Sequence, residues 1–220
     1  MGNHQYYESI KILNSKPDIF NKKQFDKAAE LGKYIYTDNL GNKVIESGGE
    51  YFKSIGRGES VYVQVTILRE NPLISLYKEF YPNSIIKRKS LYFLDNNSIG
   101  ATQLFDKNGK MIREINEDKK YNNIKYNEII SFLINENLYH DHSKEMRGEL
   151  SATYIPKVNN NQDKKPFQNK DIWIIKNFIS PPTFEHIYYI DAQTGDILSH
   201  LYKGKELIQD KKTSKVNKND

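Results

Sequence analysis

The sequence predicts an α+β fold: antiparallel β-meander sheets with a few flanking helices. Three observations lead there. Short runs of β-branched and aromatic residues recur between polar turns. Three of those turns share an Asp-to-Gly chemistry that closes hairpins. Hydrophobic residues make up 37% of the 220, yet 16 Tyr and 10 Phe bring large area per residue, so the core is expected to be thin and aromatic, which suits sheets better than bundles.

The elements follow in chain order. Tyr6 to Leu13 is compatible with a strand or a short helix. From Asn21 to Gly32, Phe25, Ala28, Ala29 and Leu31 fall on a helical stripe, with Asn21 as the expected N-cap and Gly32 as the stop. Tyr34-Ile35-Tyr36, the turn Asp38-Asn39-Leu40-Gly41 and Val44-Ile45 read as a hairpin. Val61 to Leu68 is the strongest β run and the expected central strand, with Gly56 and Gly58 before it and Asn71-Pro72 after it. Leu76–Tyr81 and Leu91–Leu94, around Pro82-Asn83-Ser84, and Leu104-Phe105 with Met111-Ile112, around Asp106 to Gly109, continue the meander. Between Tyr121 and Tyr139 the period changes: Ile129, Ile130, Leu133 and Ile134 share a helix face that Phe132 widens, with Asn127 placed to cap it. Asn159 to Lys170 is a polar loop. Ile172–Ile175, Ile187–Ile190 and Ile197-Leu198 are strands, the last two joined by Asp191 to Asp196.

The formal charge is +5, but Lys211, Lys212, Lys215 and Lys218 lie in an aperiodic polar end that reads as a disordered basic tail. The cluster Lys87-Arg88-Lys89 is short, and a solvated strand face explains it, so nucleic acid is not an expected partner. No run of 18 apolar residues exists, so no membrane-spanning segment is expected. The absence of cysteine excludes disulfides, thiolate metal sites and cysteine nucleophiles within these residues. The start lacks the basic-then-apolar layout of a secretory signal. A full-length chain would thus be cytoplasmic, and one with a trimmed signal periplasmic.

No catalytic constellation is visible. His140-Asp141-His142 is a dense ligand pair without a third ligand nearby, His186 and His200 stand isolated, and no metal or cofactor is expected. Gly56-Arg57-Gly58 lacks the third Gly and helix of a dinucleotide site, and no nucleophile elbow, P-loop or His-Glu-x-x-His occurs. The chain is therefore expected not to be an enzyme.

Two resemblances add to this reading. Leu76-Tyr77-Lys78-Glu79-Phe80-Tyr81-Pro82-Asn83 through Ile85, then Phe105-Asp106-Lys107-Asn108-Gly109-Lys110 and Glu114, resemble the MORN-variant repeats of YwqK-type antitoxin and immunity modules, over roughly residues 60 to 118. Ser84 stands where the repeat usually has Gly. Trp173-Ile174-Ile175 and Tyr189-Ile190-Asp191-Ala192-Gln193-Thr194-Gly195-Asp196-Ile197-Leu198, after a helix, resemble a PepSY-like unit over roughly residues 122 to 202. They imply a β-rich part at 1–120 with MORN-variant hairpins, a PepSY-like α+β unit at 121–208 and the tail at 209–220.

They also imply a non-enzymatic immunity protein that binds and neutralises a bacterial toxin, the cognate toxin or effector being its partner. The alternative is an envelope binding module with no toxin partner. Contacts are expected at Tyr77, Tyr81, Arg88, Tyr92 and Trp173, aromatics and an arginine being the usual anchors of protein interfaces.

Overall fold

The computed structural model describes residues 17–48, 62–94, 97–139, 150–157, 167, 169–180 and 183–206. Tyr6 to Leu13, Gly56 to Gly58, His140 to His142, most of the loop beginning at Asn159 and the basic tail lie outside these residues. The chain divides into two compact units, Met1–Tyr92 with Ser98–Glu117, and Phe93–Asn97 with Asp118–Asp220.

The first unit is built on a seven-stranded meander in sequential order: β1 (Lys33–Thr37), β2 (Lys43–Gly48), β3 (Tyr62–Ile67), β4 (Ile74–Phe80), β5 (Ile86–Phe93), β6 (Asn97–Phe105) and β7 (Met111–Asn116). The expected central strand, β3, pairs antiparallel with β2 on one side and β4 on the other. A short helix α1 (Lys22–Ala28) begins as expected, Asn21 Oδ1 accepting from Gln24 N at 3.1 Å. It ends before the predicted stop, because Ala29 is extended and Leu31 and Gly32 both take positive φ (50° and 75°). Leu31 is consequently 96% exposed rather than part of the apolar stripe. Phe25 does face inward and, with Phe20, Tyr62, Phe80, Ile86 and Phe105, makes an aromatic core. Phe20 is its centre, stacked on Tyr62 at 4.6 Å and 5.2 Å from Phe80.

Three of the tight turns that close hairpins use the Asp-to-Gly chemistry directly, and a fourth repeats its backbone pattern without the glycine. Asp38 Oδ1 accepts from Leu40 N and Asn42 N, Asp106 Oδ1 from Asn108 N and Lys110 N, and Asp191 Oδ1 from Gln193 N and Thr194 N. Gly41, Gly109 and Gly195 then sit at φ 81°, 82° and 78°, where a Cβ is strained. In the fourth turn Ser84 adopts φ 67° without being glycine. Tyr81 N donates to Ile85 O and Ser84 N to Tyr81 O, the pattern repeated when Asp106 N donates to Lys110 O and Gly109 N to Asp106 O. Each residue of the first turn thus has its counterpart twenty-five positions on, Asn83 at 108 and Ser84 at Gly109. The two turns are also tied together, Tyr81 Oη donating to Phe105 O (2.9 Å) and Asn83 Nδ2 to Lys107 O (3.1 Å).

The second unit carries a five-stranded sheet in the order β12-β11-β10-β9-β8, from β8 (Leu150–Ile155), β9 (Ile172–Ser180), β10 (Thr183–Asp191), β11 (Ile197–Tyr202) and β12 (Lys205–Glu206). Its helix α2 (Tyr126–Asn135) buries Tyr126, Ile129, Ile130, Phe132 and Leu133. Asn127 is not its cap. The helix is capped two residues earlier, at Lys125, whose N donates to Glu128 Oε2 at 2.9 Å, so Asn127 lies inside the first turn. Ile134 is 46% exposed, off the buried face. Asn137 closes the helix in the left-handed region (φ 54°), with Leu138 N donating to Leu133 O at 2.8 Å.

Candidate partner-binding surface

Cross-strand registers define the two faces of the first sheet. On one face, Ile35 lies opposite Ile45, Ile45 opposite Val65 and Val65 opposite Tyr77. On the other, Tyr36, Val44, Thr66 and Leu76 form the corresponding row, and Tyr34, Glu46, Gln64 and Lys78 the next. The second face is the inner one: Val44, Glu46, Leu76 and Thr66 are buried, and its far end is covered by Phe20 and Phe25. The first is open, with Ile35 51% exposed and Ile45, Val65 and Tyr77 half-buried.

The open row ends in an aromatic and cationic cluster. The Tyr77 and Tyr92 rings meet edge to face at 5.6 Å. Arg88 donates from Nη2 to Tyr92 Oη at 3.0 Å and from Nε to Ser90 Oγ at 2.9 Å, and Ser90 Oγ shares a 2.9 Å hydrogen bond with Thr102 Oγ1. These bonds hold a guanidinium in one orientation over a phenol, 5.9 Å from its centroid. Burial raises the Tyr92 hydroxyl's pKa, and Glu117 and Glu79 add to that against the pull of Arg88, so it stays protonated at neutral pH. Around the row stand exposed Lys33 and Lys43 and the ion pair of Lys87 with Glu79 at 2.7 Å, giving an apolar strip with a charged margin.

Three of the five expected contact residues, Tyr77, Arg88 and Tyr92, are therefore gathered on one face. Tyr81 sits at the hairpin end, with its hydroxyl committed to the neighbouring turn. Trp173 is a correction. It is 0% exposed at the centre of the second unit, stacked on Tyr121 at 5.3 Å, edge-on to Tyr154 and Phe93, and donating from Nε1 to Ile124 O at 2.8 Å. Its polar tip and all its apolar area are used internally, so it supports the fold instead of meeting a partner. Ile35, Ile45 and Val65 belong to the face but carry no mark in the sequence beyond alternation along their strands.

The inner face opens into a groove of about 760 Å³, lined by Tyr36, Val44, Gln64, Thr66, Arg69 and Leu76 among others. At its edge Glu46, 5% exposed, accepts from Tyr36 Oη (3.2 Å) and Gln64 Nε2 (2.8 Å). Burial, then the neighbouring Glu46 charge, pushes Tyr36 up to about 12. A phenol held protonated beside a carboxylate is a satisfied pair, with no proton in play near neutral pH.

The second unit brings together two histidines that look isolated in sequence. His186 Nδ1 and His200 Nε2 lie 2.9 Å apart, and the His200 ring stacks on Tyr188 at 3.9 Å. Their centroids are 5.2 Å apart with planes at 22°, so the rings meet edge to edge in nearly one plane and share a proton along the N···N line. A metal held by both nitrogens in that direction would need about 4 Å, twice a typical metal–imidazole bond. Burial and then His186 lower the His200 pKa. Among the described residues no group of three or more His, Asp or Glu stands where it could hold a metal ion, and no helix is long and apolar enough to cross a membrane.

No protein-family model, no curated protein and no solved structure matches the chain.

Proposed function

We propose that this chain is an immunity-type protein that binds and neutralises a bacterial toxin, and that the open face of the first sheet is its binding surface. The observation that carries the reading is the row Ile35–Ile45–Val65–Tyr77 running into Tyr92 and the anchored Arg88. The solvent face of an antiparallel sheet is ordinarily polar. Here it offers aliphatic and aromatic side chains with a margin of charge, the composition that protein interfaces favour at their centre and rim.

The paired turns support the immunity class. The resemblance to MORN-variant modules implies a repeated strand-turn-strand unit, and the turns at 81–85 and 106–110 share one hydrogen-bond pattern despite Ser84. On this reading the chain acts by occupying the toxin and performs no chemistry of its own.

The test is to purify the tagged chain from the bacterium that encodes it and assay what accompanies it. One stoichiometric protein that is toxic when produced alone, and harmless with this chain, is the expected result. Recovery of no partner, or of one whose toxicity the chain leaves unchanged, overturns the proposal.

A further inference from the structure

The two edges of the seven-stranded sheet are built differently. At β7 the register passes from Phe105↔Met111 to Leu104↔Arg113, so Ile112 is an extra, unpaired residue, and exposed Arg113 and Glu114 follow it. A bulge and charges are the usual protection of an edge against pairing with another strand. At β1 the register is unbroken from Lys33↔Ser47 to Thr37↔Lys43, with no proline and a single lysine among Lys-Tyr-Ile-Tyr-Thr.

Alternation fixes which backbone groups of β1 remain open. Gly48 N donates to Gly32 O and Asp38 N to Asn42 O, so even-numbered residues point toward β2. Odd-numbered residues therefore point outward. Lys33 spends both of its groups on Glu30, at 2.9 Å each. Ile35 and Thr37 are left with outward N–H and C=O groups that have no partner among the described residues, and their side chains are exposed.

We propose that β1 pairs antiparallel with β1 of a second copy of this chain, in a two-fold register centred on Tyr36. A two-fold axis between antiparallel strands stands perpendicular to the sheet and must pass beside one residue and its own copy. Centring on Ile35 would place Thr37 against Lys33, whose groups Glu30 already holds. Centring on Tyr36 places Ile35 opposite Thr37 of the second copy and Thr37 opposite its Ile35, which satisfies all the open groups with four hydrogen bonds. The same register sets Tyr36 against Tyr36, a favourable cross-strand aromatic pair, and opposes no like charges. It also carries the apolar row across the junction, since Ile35 comes diagonal to Ile35 of the second copy. This pairing stands or falls independently of the toxin reading.

Sedimentation velocity of the full chain over a wide concentration range, with two cysteine variants, tests it. The wild type is expected to move from monomer to dimer as concentration rises. Thr37→Pro, which removes an outward donor that has no acceptor among the described residues of the chain, is expected to stay monomeric with an unchanged circular dichroism spectrum. Because the chain has no cysteine of its own, Tyr36→Cys under a mild oxidant should give a covalent dimer. Tyr34→Cys, four residues out of register with its own copy, should not. A wild type that stays monomeric throughout, or equal crosslinking from both variants, overturns the proposal.

Discussion

Gly109→Ala tests the packing of the repeated turns, with Gly41→Ala as its control in the same unit. Both glycines hold φ near 80°, so each alanine meets the left-handed penalty of about 1–2 kcal/mol, offset by about 0.4–1 kcal/mol from stiffening the unfolded chain. Their surroundings differ. The three atoms nearest a Cβ on Gly41 all belong to the Arg69 side chain, the closest at 2.9 Å, and that side chain can swing aside. A Cβ on Gly109 meets the Pro17 ring at 3.0 Å and Ile85 Cγ2 at 3.4 Å, neither of which is a free side-chain end. Crowding of that kind adds about 1–3 kcal/mol. Gly41→Ala should thus cost about 1 kcal/mol and Gly109→Ala about 2–4 kcal/mol. Urea unfolding followed by circular dichroism, with m-values compared between variants, reads the difference. Equal costs would refute the claim that the residue-17 segment packs onto the second repeated turn.

Further predictions follow from the cores and charges. Trp173→Ala should cost about 3–5 kcal/mol and remove the indole bands from the near-ultraviolet spectrum, because a fully buried indole, the one tryptophan of the sequence, loses its packing and its bond to Ile124 O; a cost below 1 kcal/mol would contradict its central place. Asp18→Asn should destabilise more than Lys89→Met. Asp18 bridges both Lys78 (3.1 Å) and Lys89 (3.0 Å), the latter 2% exposed, and removing the carboxylate from beside a buried ammonium costs more than replacing that ammonium with an apolar chain. For His200, whose pKa is lowered in the fold by burial and by His186, the unfolded chain takes up the proton first. Stability should be level above neutrality and fall as pH drops through the ordinary histidine range, and His200→Gln should flatten that slope in urea titrations. Equal slopes in both proteins would contradict the assignment.

Much of this architecture is legible in the residues, because turn chemistry is local. Asp38, Asp106 and Asp191 each bond the backbone two residues on, so their hairpins could be placed without knowing any partner strand. Pro82-Asn83-Ser84 marks the place of the fourth turn, but a serine gives no sign in the sequence that its position takes positive φ. Trp173 and Tyr77 illustrate what strand pattern leaves open: both are aromatic residues on β runs, and only the cross-sheet surroundings decide that one is sealed and the other half-open. Asn127 misled because a good capping residue one position inside a helix looks like its start. The His186–His200 pair was recoverable in principle, by folding β10 and β11 about the Asp191 turn until Tyr188 meets His200. The open row needs the registers of four strands at once, which no local signal contains.

The open face is the central claim, and adjacent residues on β3 offer a direct test of it. Val65 lies in the open row and Gln64 points to the inner face. A photo-crosslinking amino acid at each position, in otherwise identical chains produced in the native bacterium, should capture one and the same toxic protein from position 65 and not from position 64. Capture from position 64 alone, or equally from both, would contradict the assignment of the partner to that face.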